Sequence, residues 1–199
     1  MPSEPDARDA LRRQLRERRK ALPAAQQAAA ARAVAGHIRT LPGWDTARHI
    51  GLYWPNDGEL DTQPLAQACR AQGKQTYLPV LAQERRLVFR EWLDDQAMQP
   101  NRFGIPEPDS SGRSCTAGEL DLLIMPLVGW QRDGYRLGMG GGFYDRTLAD
   151  ARGVLRVGLA YVCQEINGLD SASWDIPMQW VLTESGLTAC FAQERMPTR

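Results

Sequence analysis

The sequence has few of the residues that build disulfide frameworks or protein-held metal clusters. Its four cysteines are widely separated and form no CxxC pair, and its two histidines share no metal-ligand spacing. Isolated cysteines are usually small buried apolar side chains, and we expect the same here. The composition therefore gives no indication of a zinc ribbon or a CxxC redox centre. The residues concerned are Cys69, Cys115, Cys163, Cys190, His37 and His49.

Long apolar runs and net charge are also missing. No stretch of roughly eighteen apolar residues, the length of a membrane-spanning helix, occurs in the sequence. The 24 basic and 24 acidic residues balance, so the overall charge does not suggest nucleic-acid binding. The amino terminus is polar and charged, unlike a secretory signal. We expect a monomeric cytoplasmic protein with neither nucleic acid nor a membrane as a partner.

The most distinctive stretch is RLGMGGGFYDR at residues 136–146, in which four glycines fall within five residues. It lies between a strand-like apolar run, residues 122–128, and a helix-like run, residues 143–150. Backbone N–H groups of such a loop can cradle phosphate, and a flexible glycine-rich turn is the alternative. The dinucleotide pattern GxGxxG fails because residue 143 is Phe, and the Walker A pattern fails because the loop contains no Lys.

Charged residues at the edges of this loop suit the same chemistry. Arg136 precedes the glycines and Arg146 follows them, so both guanidinium groups can add charge-assisted hydrogen bonds to phosphate oxygens. Asp145 can hold a hard cation beside them.

The remaining periodicity predicts an α/β fold with a mostly parallel sheet and helices on both faces. Helices are expected over residues 6–22, 23–39 and 62–72, and an irregular surface segment over 94–118. The run at 120–128 is the most apolar and predicts a central buried strand. The other predicted strands cover residues 49–54, 75–80, 87–93, 155–161 and 180–183.

Three further features are candidates for the site. Arg8 and Arg12 are four residues apart, so they share one helix face and can bind a polyphosphate, although a charge run is more often a solvated face. Glu59 follows the predicted strand at 49–54, where ligands of α/β sheets usually bind, and a surface turn acid is the alternative. Asp175 lies in a loop that it can brace.

The motif at residues 136–146 resembles the signature of the 5-formyltetrahydrofolate cyclo-ligase family. Arg8-xxx-Arg12, DGELDT at 57–62 and MPLV at 125–128 fall in the family's order, so the resemblance covers nearly the whole chain. It implies one Rossmann-like three-layer α/β domain over residues 1–199. It also implies ATP- and Mg²⁺-dependent closure of 5-formyltetrahydrofolate, possibly polyglutamylated, to 5,10-methenyltetrahydrofolate.

The resemblance also implies roles for individual residues. The catalytic residues would be Arg136 and Asp145, and the metal ligands Asp145 and Asp175. The folate would contact Arg12, Trp54, Glu59, Met139, Gly140, Gly141, Gly142 and Phe143. ATP would contact Arg8, Asp9, Ala10, Leu11, Arg12, Arg136, Leu137, Gly138, Met139, Gly140, Gly141, Gly142, Phe143 and Tyr144.

One departure from the family concerns charge inside the loop. Some members carry basic residues where this chain has Met139 and Gly141. Arg136, the amino-terminal arginines, Mg²⁺, Lys74 or Arg146 would then have to neutralise the phosphates. A non-catalytic nucleotide- or folate-binding regulator and a different ATP-dependent ligase are the competing interpretations.

Overall fold

The computed structural model describes residues 4–191, with side chains from residue 7 onward. Four α-helices are present in this range: α1 (Glu4–Lys20), α2 (Ala24–His37), α3 (Gln63–Arg70) and α4 (Phe143–Leu148). The strands are β1 (His49–Gly51), β2 (Gln75–Leu81), β3 (Leu87–Glu91), β4 (Met98–Pro100), β5 (Pro106–Pro108), β6 (Ser114–Cys115), β7 (Leu122–Pro126), β8 (Gly129–Trp130), β9 (Arg136–Leu137), β10 (Leu155–Leu159), β11 (Trp180–Thr183) and β12 (Gly186–Ala189).

Eight of these strands form one sheet in the order β12-β11-β10-β7-β1-β2-β3-β6. The five strands from β11 to β2 are mutually parallel, whereas β12, β3 and β6 pair antiparallel at the two edges. The connection β1–α3–β2 is the parallel unit that the sequence predicted. The mostly parallel sheet is therefore confirmed, with an antiparallel margin that the apolar pattern did not distinguish.

The sheet is covered by helices on both faces. Alternate side chains of a strand point to opposite faces, and in β7 Leu122 and Ile124 join one apolar cluster while Leu123 and Met125 join another. The first cluster contains the buried residues of α2 and α3, and the second contains Leu148 of α4. β7 is buried on both sides, as predicted for the most apolar run.

Two segments differ from the sequence-based expectation. Residues 94–118 are not irregular, because β4 and β5 form a hairpin and β6 joins the edge of the sheet. The glycine loop does not follow the central strand directly, because β8 and β9 form a second hairpin between them. Within residues 4–191 no helix has both the length and the apolarity needed to cross a bilayer.

Candidate active site

Helix α1 joins two loops at the carboxyl ends of the parallel strands. Arg12 Nε donates to the carbonyl of Gly138 in the glycine loop at 2.9 Å. Arg19 donates to the carbonyls of Leu127, which follows β7, at 3.2 Å and of Asp57, which follows β1, at 3.0 Å. Ligands of open α/β sheets bind at the carboxyl ends of the strands. The structure therefore brings the amino-terminal arginines and the glycine motif together, as the sequence predicted.

The glycine loop requires small residues at two positions. Gly140 and Gly142 have φ values of 90° and 67°, a region that side chains disfavour. A Cβ at Gly142 would lie 2.6 Å from Nη1 of Arg146, and one at Gly140 would lie 3.6 Å from Cζ of Arg12. Arg146 itself donates to the carbonyl of Gly141 at 2.9 Å, so it braces the loop.

The helix after the loop is short. α4 has 6 residues, so its dipole contributes less than the sequence-based picture of a full helix implied. Any phosphate here would depend mainly on loop N–H groups and on arginines. Lys74 is not one of these cations. Its buried ammonium donates to the carbonyls of Trp44 and Ala47 at 2.6 and 2.8 Å. Lys74 directly precedes β2 and therefore lies at the amino ends of the parallel strands.

The buried Arg136 pairs with the partly exposed Asp145. Nη2 of Arg136 donates to Oδ1 of Asp145 at 2.8 Å, and Nη1 donates to the carbonyl of Ile176 at 2.7 Å. The same Oδ1 accepts from the Ile176 N–H at 3.2 Å. Arg136 is 8% exposed. Asp145 therefore orients Arg136 and the segment around Ile176, a role that the sequence alone did not indicate.

Asp175 lies beside this pair and braces its own loop. Its Oδ2 accepts from the Ala172 N–H at 2.9 Å and lies 3.8 Å from Nη2 of Arg8. The bracing role is the alternative that the sequence left open. Among residues 4–191 no three His, Cys, Asp or Glu side chains are grouped to hold a metal. Mg²⁺ commonly takes one or two carboxylates with phosphate and water oxygens, and the two aspartates suit such a site.

Arg8 is only partly satisfied by the surrounding protein. Its Nε is buried and makes no hydrogen bond to any described residue. Buried donors normally have a partner, so this Nε can donate to a bound anion or to water. The other residues of α1 and β9 that were predicted to contact ATP differ in how accessible their side chains are to a ligand. Ala10 is exposed, the Asp9 carboxylate pairs with Arg12, and the side chains of Leu11 and Leu137 pack in an apolar cluster with Leu15.

Glu59 carries a poorly hydrated carboxylate. Its side chain is 12% exposed. Its Oε2 accepts from the Asn56 N–H at 3.1 Å, and its Oε1 lies 3.9 Å from Nη2 of Arg19. Burial raises the pKa of Glu59 to about 7, while Arg19 opposes that rise. Burial and then the charge of Glu59 raise the pKa of Tyr144 on α4.

Aromatic rings lie at two places near these loops. Trp54 packs edge-on against Trp92 with ring centroids 5.8 Å apart, and its contact with the folate stays a prediction. Phe143 contacts Phe103 edge-to-face at 6.1 Å. Phe103 is at the tip of the β4–β5 hairpin, and the sequence analysis missed it because it assigned that segment to an irregular surface loop.

A protein-family comparison identifies the scaffold that carries this arrangement. The model of the 5-formyltetrahydrofolate cyclo-ligase family matches residues 4–184. The chain belongs to this family. It is 41% identical over 176 residues to a 5-formyltetrahydrofolate cyclo-ligase of Haemophilus influenzae, covering 86% of this chain and 94% of that one. It is 39% identical to the Escherichia coli K12 cyclo-ligase, covering 86% and 97%.

A solved structure agrees with the fold of this cyclo-ligase family chain. The Aquifex aeolicus 5,10-methenyltetrahydrofolate synthetase superposes with a TM-score of 0.79 at 27% identity, covering 96% of each chain. The Rossmann-like α/β architecture expected from the glycine motif is therefore confirmed. The roles of individual site residues are not tested by this likeness.

Proposed function

We propose that this chain catalyses ATP- and Mg²⁺-dependent conversion of 5-formyltetrahydrofolate to 5,10-methenyltetrahydrofolate, with release of ADP and phosphate. One observation supports this most directly: arginines on α1 contact both the glycine loop and the loop that carries the largely buried carboxylate of Glu59. One end of the site suits a polyphosphate and the other suits a ligand that donates N–H groups. Membership of the cyclo-ligase family supplies the reaction that joins two such ligands.

The reaction has two bond exchanges. The formyl oxygen attacks the γ-phosphorus, the bond between that phosphorus and the β–γ bridging oxygen breaks, and ADP leaves. N10 then attacks the formyl carbon, the C–O bond breaks, and the oxygen leaves with phosphate. Loss of the N10 proton gives the methenyl cation. Such chemistry depends on positioning and charge neutralisation rather than on a protein nucleophile.

At the nucleotide end, Arg8, Arg12 and Arg136 would hold phosphate oxygens with the N–H groups of residues 138–142. Arg8 has an unpartnered Nε, and both Nη atoms of Arg136 donate to protein oxygens that hold the group in place. A fixed guanidinium stabilises charge that develops on the transferred group without reorganising. Asp145 and Asp175 would hold Mg²⁺, which when bound would neutralise charge on the phosphates.

At the folate end, Glu59 would accept hydrogen bonds from the N–H groups on the pterin edge. Among the described residues the carboxylate accepts one hydrogen bond, from the Asn56 N–H, and its Oε1 lies 3.9 Å from Arg19. Its remaining acceptor positions are available to a ligand. Trp54 and Phe143 would provide apolar walls for the ring, and polyglutamylated forms would extend outward from this end.

A spectrophotometric assay tests the proposal. The purified chain, 5-formyltetrahydrofolate, ATP and Mg²⁺ should give methenyl product and an equal amount of ADP. No product should form when ATP is omitted. Binding of both ligands without ADP would instead favour the regulator, an interpretation that the uncharged Met139 and Gly141 support. ADP release that does not depend on the folate would favour a different ATP-dependent ligase.

A further inference from the structure

One acid outside the predicted contacts gathers three basic residues of α1. The carboxylate of Asp57 accepts from Arg16 at 2.6 and 3.1 Å and from Arg19 at 2.9 Å, and it also pairs with Lys20. Asp57 has φ of 54°, a left-handed conformation that places it in the turn before Glu59. Hydrogen bonds from Arg16 hold the pKa of Asp57 well below its usual range.

Arg19 extends this cluster to the rest of the site. Its side chain is fully buried. Its guanidinium also donates to the Asp57 carbonyl at 3.0 Å and to the Leu127 carbonyl at 3.2 Å, and it lies 3.9 Å from the Glu59 carboxylate. The Arg19 guanidinium therefore contacts Asp57, the Leu127 carbonyl on the segment that leads to the glycine loop, and the carboxylate of Glu59.

We propose that Asp57 is a positioning residue for the cyclo-ligase reaction, which fixes α1 over the site through Arg16, Arg19 and Lys20 and which, together with Arg19, sets the charge environment of Glu59. The proposal rests on the proposed function for the ligands that α1 and Glu59 hold. The contacts themselves are independent of it. Asp57 would touch neither ligand in this assignment, because its carboxylate is engaged by Arg16, Arg19 and Lys20 of α1.

The arrangement has a consequence that ordinary structural support would not have. The charged and titratable groups that face Glu59 are Arg19 from α1, Asp57 from its own loop, Tyr53 after β1 and Tyr144 from α4. Arg19 lowers the pKa of Glu59 and Asp57 raises it. Loss of the Asp57 charge should therefore lower the pKa of Glu59, and loss of the Arg19 charge should raise it.

The test uses three variants and one control. Asp57→Asn removes the charge and keeps a residue that tolerates the left-handed conformation. Arg19→Met removes the cation at similar length, and Arg19→Lys replaces it if the Met variant fails to fold. In Arg19→Lys, Glu59 should titrate as in the wild type, and α1 should lose its protection from hydrogen exchange. Asp150→Asn is the matched control, since it breaks an exposed ion pair with Arg86.

Carbon-13 NMR of the Glu59 carboxyl in the ligand-free chain gives its titration, and hydrogen exchange of residues 7–20 reports on α1. We expect the pKa of Glu59 to lie below the wild-type value of about 7 in Asp57→Asn and above it in Arg19→Met. Exchange across α1 should accelerate in both, and kcat/KM should fall by about tenfold to a hundredfold, as for misplaced catalytic groups. The control should match the wild type.

Two results would overturn the proposal. One is a titration of Glu59 that moves in the same direction in Asp57→Asn and Arg19→Met, or in neither. The other is a wild-type kcat/KM in Asp57→Asn. Failure of the wild-type chain to form methenyl product would reject the proposed function alone, because the NMR titration and the hydrogen exchange require neither ligand.

Discussion

Replacing Glu59 with glutamine should stabilise the folded chain above neutral pH and weaken its binding of the folate. The Glu59 side chain is 12% exposed, and burial raises its pKa from 4.5 to about 7. Above pH 7 the folded protein must therefore keep a poorly hydrated negative charge. A glutamine side chain resembles the protonated acid in size and in its carbonyl acceptor, so the substitution removes that cost.

The pKa values give the sign and the size of the effect. The folded chain binds a proton more tightly than the unfolded chain, so stability from this group is complete below pH 4.5 and is lost as the pH rises to about 7. A difference of about 2.5 pH units corresponds to about 3 kcal/mol at 1.36 kcal/mol per unit. For a chain of this size the gain in Tm should be roughly 6–12 °C.

Calorimetric melting of both proteins between pH 5 and pH 8.5 measures this gain. Glu59→Gln should melt higher than the wild type at pH 8.5, and the difference should shrink as the pH falls toward 5. Glu119→Gln is the matched control. The exposed Glu119 carboxylate accepts hydrogen bonds from Thr116 that lower its pKa, so its replacement should not stabilise the chain at any of these pH values.

Ligand binding by the same variant tests the functional half of the prediction. The KM for 5-formyltetrahydrofolate should rise at least about tenfold, the value of one lost charge-assisted hydrogen bond, while the KM for ATP should change little. Equal losses for the two ligands would place Glu59 in a structural role. If Glu59→Gln does not raise the Tm at pH 8.5, or raises it equally at every pH, the claim that Glu59 is desolvated in the folded chain is refuted.

Three further substitutions test the nucleotide end. Asp145→Asn should lower turnover by about a hundredfold and raise the Mg²⁺ concentration for half-maximal rate; an unchanged Mg²⁺ dependence would leave Asp145 as a brace. The double variant Arg8→Ala, Arg12→Ala should raise the KM for ATP about tenfold or more and abolish any slowing of α1 hydrogen exchange by ATP. Met139→Arg should lower the KM for ATP several-fold at low salt, an effect that fades at high salt; Val162→Arg, also at an exposed apolar position, should not.

Much of the fold followed from local patterns. The most apolar run became the doubly buried strand β7, and β1–α3–β2 formed the expected parallel unit. The spacing of Arg8 and Arg12 predicts one shared helix face, since residues four apart share a face wherever the helix docks; their role toward a phosphate stays a prediction. These features depend on short-range periodicity, which is visible in a sequence without knowledge of its neighbours.

The ionic pairing of the site could not be predicted in the same way. Asp145 was expected to face a metal, and the structure directs one of its oxygens to Arg136. Asp57 is 38 residues from Arg19 in the chain, and no periodic pattern links two such positions. Which acid pairs with which base depends on which loops lie together at the carboxyl ends of the strands. That arrangement is a property of the complete topology.

The distribution of charge along α1 connects these two kinds of information. Arg16, Arg19 and Lys20 pair with Asp57, whereas Arg8 keeps a buried Nε that has no partner among the described residues and stands 3.8 Å from Asp175. A helix whose basic run were only a solvated face would expose both halves alike. Because the anchored half also carries Arg19 toward Glu59, α1 would position both the cations proposed for a phosphate and the carboxylate proposed for the folate. Under that proposal, α1 supplies beside the glycine loop the cations that Met139 and Gly141 do not.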